Sequence, residues 1–240
     1  MHQTTNPTTV STSEVEKFSK LADQWWDPDG EFRTLHQINP VRLFYIKEKI
    51  VEHFGEFKPG IAILDIGCGG GLVSVPLAKI GAKVTGLDAS SQNINTASLH
   101  AKKQGLDIEY IAGTVEEHKG LYDVVLCLEI IEHVQDAEFF IKSAMRLVKP
   151  GGVMILSTIN RTAKAYAAAI LCGEYILRWL PVGTHEFSKF IKPSEISDYL
   201  LGSTFRLKEL KGLGYSPLTK GWKLQDDIDV NYFAVMEFVD

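Results

Sequence analysis

The chain of 240 residues has only three cysteines, Cys68, Cys127 and Cys172. An odd count without paired spacing offers no disulfide framework and suits a reducing compartment. Concentrated positive charge is missing too. The formal net charge is −5 and no block of Lys or Arg stands out. The electrostatic footprint of a nucleic-acid binder is therefore absent, and no nucleic-acid partner is expected. No apolar run reaches the length and purity of a membrane-spanning helix. The opening "MHQTTNPTTVSTS" is polar and is not expected to act as a secretory signal. No internal repeat is visible. With 45% hydrophobic and 23% charged residues, the composition fits one globular domain of generous size.

The alternation of patterns carries the fold. Apolar runs near 61–66, 83–87, 108–112, 122–128 and 153–158 read as strands. Helical patterns near 71–80, 91–104 and 136–148 separate them. Strand–helix alternation of this kind argues a parallel sheet covered by helices on both faces. "KPGG" (Lys149–Gly152) reads as a turn before the fifth strand. Segments near 204–212 and 230–238 have no helix between them and should pair as an antiparallel hairpin. Before the sheet, Ser13 with Glu16 resembles a capping box that opens a first helix. "WWDPDGEFRTLHQINP" reads as a loop, and Asn39 with Pro40 as the N-cap and first residue of a second helix.

Within "ILDIGCGGGL" four glycines, Gly67, Gly69, Gly70 and Gly71, follow a strand and precede a helix. Residues without Cβ reach positive φ cheaply and let other groups come close. A strand, a glycine turn and a helix N-terminus together form a site for negative or electron-rich groups. Pro76 is a blemish in the helix that follows. Asp88 ends the second strand and is placed to accept ribose hydroxyls of an adenosine. Leu72 stands where a dinucleotide fingerprint wants its third glycine. Asp65 would be awkward for a pyrophosphate and suits the cationic side of S-adenosylmethionine.

"LDIGCGGG", "GLDAS", "YDVVLCLEIIEHV" and "LVKPGG" resemble, in order and spacing, the class I S-adenosylmethionine-dependent methyltransferases. The stretches "FSKLADQWWDPDGEFRTLHQINPVRLFYI", "GTVEEH", "GEYILRWLPVGTHEFSKFIKPSEI" and "DVNYF" are similar to a narrower family, the ubiquinone-biosynthesis O-methyltransferases. Those enzymes methylate both 3-demethylubiquinol and 2-polyprenyl-6-hydroxyphenol. The resemblance implies an α/β, Rossmann-like class I methyltransferase sheet with an N-terminal helical extension and a C-terminal antiparallel hairpin. It implies S-adenosylmethionine as cofactor, with Gly67 under its methionine part, Asp88 on the ribose, Leu128 at the fourth strand tip and Arg42 reaching its carboxylate. Read from its residues alone, Arg42 is a solvated helix charge. Thr114 and Val115 are expected near the adenine. The expected organisation is a disordered tail over 1–12 and one domain over 13–240. That domain divides into N-terminal helices (13–58), a cofactor-binding core (59–160), a lid or membrane-contacting insertion (161–203) and the hairpin (204–240).

Methyl transfer to a phenol needs alignment, exclusion of water and a way to remove a proton whose pKa is about 10. Glu129, Glu132 and His133 follow the fourth strand. Three readings stay open for them: a Mg²⁺ or similar ion held by all three, a general base His133 oriented by a glutamate such as Glu132, or a merely structural turn. Members of the resembled family have been described as using this acid-acid-histidine set for a metal. His185 is a second base candidate. In "AKAYAAAILCGEYILRWLPVG", a broad apolar arc bordered by Lys164, Arg178 and Trp179 reads equally as an active-site lid or as a helix in a bilayer interface. The expected substrates are polyprenyl phenols and catechols. The expected setting is cytoplasmic, with peripheral contact to anionic membrane lipids and membership of a ubiquinone-biosynthesis complex. Rival readings are an NAD-dependent dehydrogenase, a nucleic-acid or protein amino-methyltransferase, and a silent adenosyl-binding scaffold.

Overall fold

The computed structural model describes residues 8–170, 186–216 and 221–239. The chain begins with α1 (Thr12–Lys20) and α2 (Arg33–Phe54). It then alternates through β1 (Ala62–Ile66), α3 (Ser74–Lys79), β2 (Lys83–Asp88), α4 (Ser91–Lys103), β3 (Glu109–Ala112), β4 (Tyr122–Leu128), α5 (Ala137–Met145) and β5 (Val148–Ile159). A short α6 (Ala163–Ala165) and α7 (Pro193–Tyr199) precede β6 (Phe205–Ser216), β7 (Gly221–Gln225) and β8 (Asn231–Phe238). The eight strands lie in the order β3-β2-β1-β4-β5-β8-β6-β7. Strands β1 to β5 are parallel, and β8 runs antiparallel to both β5 and β6.

The strand period of two explains the layering. Leu64, Ile66, Val125, Cys127, Met154 and Leu156 face one way and pack under Phe140, Ile141 and Ile196 of α5 and α7. Their neighbours Ile63, Val124, Leu126, Val153 and Ile155 face the other way, against Tyr45, Ile46, Ile50 and Leu77 of α2 and α3. Burial on both faces is why these strands are apolar without alternation. In such a sheet the order reverses between β1 and β4, and ligands bind at the carboxyl ends of the strands there. Asp65, Gly67, Asp88 and Leu128 all sit at those ends.

Several boundaries differ from the sequence reading. The expected disordered tail over 1–12 is ordered at its end: Thr9 and Ser11 are buried, and the Thr9 carbonyl accepts from Gln135 N at 2.9 Å. Helix α1 starts after Ser11, two residues before the Ser13–Glu16 pair could cap it. Helix α2 starts at Arg33 and runs through Pro40. The proline costs it a backbone bond, but tertiary bonds pin this first part: Asn39 Nδ2 donates to the Leu72 carbonyl at 2.7 Å and His36 Nε2 to the Trp25 carbonyl at 2.9 Å. Pro76 is the third residue of α3, and the Leu72 carbonyl that an N–H there would reach accepts from Asn39 Nδ2 instead. "KPGG" is a bulge inside β5: the β4–β5 register jumps from Tyr122↔Val148 to Val124↔Val153. The C-terminal strands β6 and β8 do pair antiparallel, with Leu210 opposite Ala234. They are joined through β7, which folds back on the outer edge of β6, and not by a simple hairpin.

Candidate active site

The crevice at the strand ends opens into a cavity of about 560 Å³. Its floor is the glycine turn. Gly67, Gly69 and Gly71 have φ of 72°, 53° and 86°, the left-handed region that favours glycine. A Cβ on Gly69 or Gly70 would lie 2.4 or 2.3 Å from the Trp25 side chain, and one on Gly67 would lie 2.9 Å from Ile130. The missing side chains thus make room for neighbours of the same chain. Trp25 donates from Nε1 to Asn93 Oδ1 at 2.9 Å and stacks on Phe32 with centroids 3.8 Å apart. Trp26 donates to the Gly70 carbonyl at 2.9 Å. The "WW" pair, read as loop, clamps the turn.

The charged groups follow from the fold. Asp88 accepts from Gly69 N at 2.9 Å, Ser90 N at 2.8 Å and Asn93 Nδ2 at 3.2 Å. A carboxylate has roughly four acceptor positions, so it retains capacity for about one more donor. Asp65 is buried and accepts from Ser74 Oγ at 2.6 Å. Burial pushes its carboxyl up to about 6, against the pull of that hydroxyl and of Arg42. Arg42 comes from α2 and is 3% exposed, so it is not the solvated helix charge that its residues alone suggest. Its Nη2 donates to Asn39 Oδ1 at 3.0 Å, while its Nε is buried without a partner. Glu129 and Asp65 offset the cost of burying its charge. An orphaned guanidinium N–H beside two acids fits a ligand that carries a carboxylate and a cationic centre together, as S-adenosylmethionine does. Leu128, Thr114 and Val115 also line the cavity.

The acid-acid-histidine set is not drawn onto one point. Glu129 has φ 52°, uncommon for a residue with a side chain, and its Oε1 accepts from Ser157 Oγ at 2.6 Å. Glu132 is buried and accepts from Thr158 Oγ1 at 2.8 Å. Burial, and then the charge of Glu129, raise its carboxyl above the ordinary range. His133 Nδ1 lies 2.8 Å from Glu14 Oε2 of α1, 119 positions away in sequence. Among the described residues no group of three His, Cys, Asp or Glu side chains is arranged to hold a metal ion. The expected Glu129–Glu132–His133 metal set does not fit as it stands, because its members turn to Ser157, Thr158 and Glu14. All three still line the cavity. His185 and Glu174–Leu180 lie outside the described residues.

Sequence reasoning missed Glu14, Ser157, Thr158 and the tryptophan clamp. Only the clamp had a local signal, the doublet Trp25–Trp26. The insertion begins on the cavity: Lys164, Ala168 and Ala169 line it. Lys164 is expected at lipid headgroups; here it pairs with Asp227 and, at 3.4 Å, with Asp229.

Residues 64–156 match the family model described as a methyltransferase domain. The ubiquinone biosynthesis O-methyltransferase of Rickettsia felis is 50% identical over 229 residues, covering 95% of this chain and 93% of that one. The chain belongs to the ubiquinone biosynthesis O-methyltransferase family. The proteins of that name from Pelagibacter ubique and Maricaulis maris are 47% and 48% identical, with 97% and 95% of their lengths covered. Like its family, this chain is an S-adenosylmethionine-dependent O-methyltransferase. The fold agrees. Magnesium protoporphyrin IX methyltransferase from Synechocystis PCC 6803 with bound SAH is 21% identical, with a TM-score of 0.66 over 93% of this chain and 94% of that one. An S-adenosylmethionine-dependent methyltransferase from Clostridium acetobutylicum gives 0.65 at 15% identity, over 94% and 99%. The dehydrogenase rival is set aside by family membership. No helix among the described residues is long and apolar enough to cross a membrane.

Proposed function

We propose that this methyltransferase acts on the hydroxyls of polyprenyl phenols and catechols, in both O-methylation steps of ubiquinone biosynthesis. The observation that carries the reading is one continuous cavity. It is lined by Asp88 and Arg42, by Glu132 and His133, and by the apolar Ile159, Ala168, Ala169 and Leu213. A ring hydroxyl beside His133 and an isoprenoid tail along the apolar residues would both be accommodated.

In this reading Gly67, Asp88, Leu128 and Arg42 hold the cofactor, with Asp65 facing its cationic part. S-adenosylmethionine held there would supply a methyl group on a sulfonium, an electrophilic carbon for the substrate oxygen. His133 takes the hydroxyl proton, which turns a poor nucleophile into a phenolate. Glu132 is a buried acid whose raised proton affinity suits a hydrogen bond to a second ring oxygen. Glu132 is buried and His133 half-buried, which limits water at the reacting centre. No step is assigned to Mg²⁺.

The polyprenyl class also favours a membrane-facing role for the insertion, with the enzyme cytoplasmic, peripheral on anionic lipids and associated with other enzymes of the pathway. The alternative of a lid is favoured by Ala169 and Ile170, which pack on Ile159 and Phe190.

The test is labelled methyl transfer to a short-chain catechol and to a short-chain 2-alkyl-6-hydroxyphenol. Transfer to the hydroxyls of both, lost in His133→Ala, is the expected result. Binding of S-adenosylhomocysteine with no transfer to either would leave the scaffold reading instead.

A further inference from the structure

We propose that Trp25, in the N-terminal segment, is a positioning residue for the cofactor's ribose: its indole N–H orients the Asn93 amide, which in turn fixes the carboxylate of Asp88. This rests on the reading of Asp88 as the ribose acceptor.

The chain of bonds has one possible direction. Trp25 Nε1 donates to Asn93 Oδ1 at 2.9 Å, and Asn93 Nδ2 donates to Asp88 Oδ1 at 3.2 Å. An indole N–H can only donate, and an ionised carboxylate can only accept. A side-chain amide, which carries an acceptor and a donor back to back, joins the two. With its oxygen held by the indole, the amide must turn its nitrogen to Asp88. Trp25 and Asn93 are both buried, so loss of the indole N–H would leave a buried acceptor unpaired.

The relay decides which oxygen of Asp88 is offered to a ligand. Oδ1 has two donors, Ser90 N at 2.8 Å and Asn93 Nδ2, and Oδ2 has one, Gly69 N at 2.9 Å. With two lone pairs on each oxygen, Oδ2 keeps the place for a ribose hydroxyl. Trp25, Asp88 and Asn93 all line the cavity.

The seating of the tryptophan doublet on α4 supports this role. Asn93 and His100 are seven positions apart and share one face of that helix. Trp25 bonds the first, and Trp26 stacks on the second with centroids 3.4 Å apart and planes 2° apart. Ser90, the N-cap of α4, shares a bond of 2.6 Å with Ser19 of α1. The glycine turn makes the relay possible, because a Cβ on Gly69 or Gly70 would stand 2.4 or 2.3 Å from the Trp25 side chain. The N-terminal segment and the cofactor therefore meet at Asp88, and ribose recognition is complete only with Trp25 in place.

The experiment measures, by calorimetry, the affinity for S-adenosylhomocysteine and for its 2′,3′-dideoxy analogue. The proteins are the parent, Trp25→Phe, Asn93→Leu, their double variant and Asp88→Ala. Phenylalanine at position 25 keeps an aromatic ring beside Phe32 and the glycines but has no N–H. The parent should prefer the hydroxylated ligand by about 10-fold or more, and Asp88→Ala should lose that preference. Trp25→Phe should bind S-adenosylhomocysteine about fivefold more weakly, with the dideoxy analogue within about twofold of the parent. Asn93→Leu should reproduce the pattern, and adding Trp25→Phe to it should cost nothing more. Should Trp25→Phe not fold, benzothienylalanine at position 25, with sulfur in place of the N–H and the same ring shape, carries the same comparison. Equal weakening of both ligands by Trp25→Phe would overturn the relay and leave Trp25 as packing for the turn. Unchanged affinity for S-adenosylhomocysteine would overturn it too, and spare Asp88. A preference absent from the parent, or one that survives in Asp88→Ala, would overturn the ribose reading of Asp88 itself.

Discussion

Asp65 should weaken the fold that it equips for catalysis. Its carboxyl is buried, and burial raises it from an ordinary 3.8 to about 6. A raised carboxylate binds its proton more tightly in the folded state than in the unfolded state. As pH rises from about 4 to about 6 the unfolded chain loses that proton first, so stability falls through this window and is level above it. The shift of roughly two units corresponds to about 3 kcal/mol at neutral pH. That figure already includes the attraction of Arg42 and the Ser74 hydroxyl. Asp65→Asn mimics the protonated form and keeps an acceptor for Ser74. The cofactor-free variant should therefore be more stable than the parent by about 3 kcal/mol at pH 7.5, a Tm rise of roughly 6 to 12 °C. The gain should shrink to about 1.5 kcal/mol at pH 5. Cofactor should raise the parent's Tm and have little effect on the variant, which has lost the charge that offsets a sulfonium and an ammonium. Denaturant unfolding at pH 5, 6 and 7.5, with and without S-adenosylmethionine, measures both effects. A variant less stable than the parent at pH 7.5, or a difference that does not change with pH, would refute the reasoning.

Four further outcomes are expected. Asp88→Ala should weaken S-adenosylmethionine binding by about 1.5 to 3 kcal/mol in calorimetry, the scale of charge-assisted hydrogen bonds. Gly70→Ala puts a Cβ 2.3 Å from that of Trp25; it should displace the indole, lower Tm and reduce S-adenosylhomocysteine affinity together, and a neutral result would mean the clamp is soft. With His133 turned to Glu14, catechol methylation should persist in excess EDTA; loss reversed by Mg²⁺ would mean that Glu129, Glu132 and His133 regroup around an ion. The protein should co-float with anionic liposomes, and replacing Ile176, Leu177 and Trp179 by Ser should abolish this without changing S-adenosylhomocysteine affinity. A parent that ignores liposomes, with a triple variant inactive on a tail-less catechol, decides for a lid.

The parallel core was legible because its cause is local. Strands buried on both faces must be apolar throughout, as Ile63–Ile66 and Val124–Leu128 nearly are, and the one acid at the end of β1, Asp65, marks where the ligand comes. Gly67 and Asp88 could be found for the same reason, since each sits at a strand tip whose position the pattern fixes. Helix starts were less legible. Pro40 argues locally for an N-terminus, and the side-chain bonds of Asn39 and His36 to distant carbonyls outweigh it. The third C-terminal strand β7 was missed because Gly221–Gln225 is short and has no sharp alternation.

The sequence by itself determined the order of the parallel strands and the helices between them, the glycine turn, the acids at the strand tips and the family. These rest on periodicity, on glycine's freedom at positive φ and on motif spacing, all properties of neighbouring residues. Tertiary structure decided the use of the side chains. It turned Trp25 onto Gly69 and Gly70, buried Arg42 between Asp65 and Glu129, and set Ser157 and Thr158 on the two glutamates. It brought Glu14 across 119 positions to His133. A hydrogen bond between residues so far apart leaves no periodic trace in either segment, because the packing of α1 onto the strand ends, and not local propensity, brings the two groups within reach.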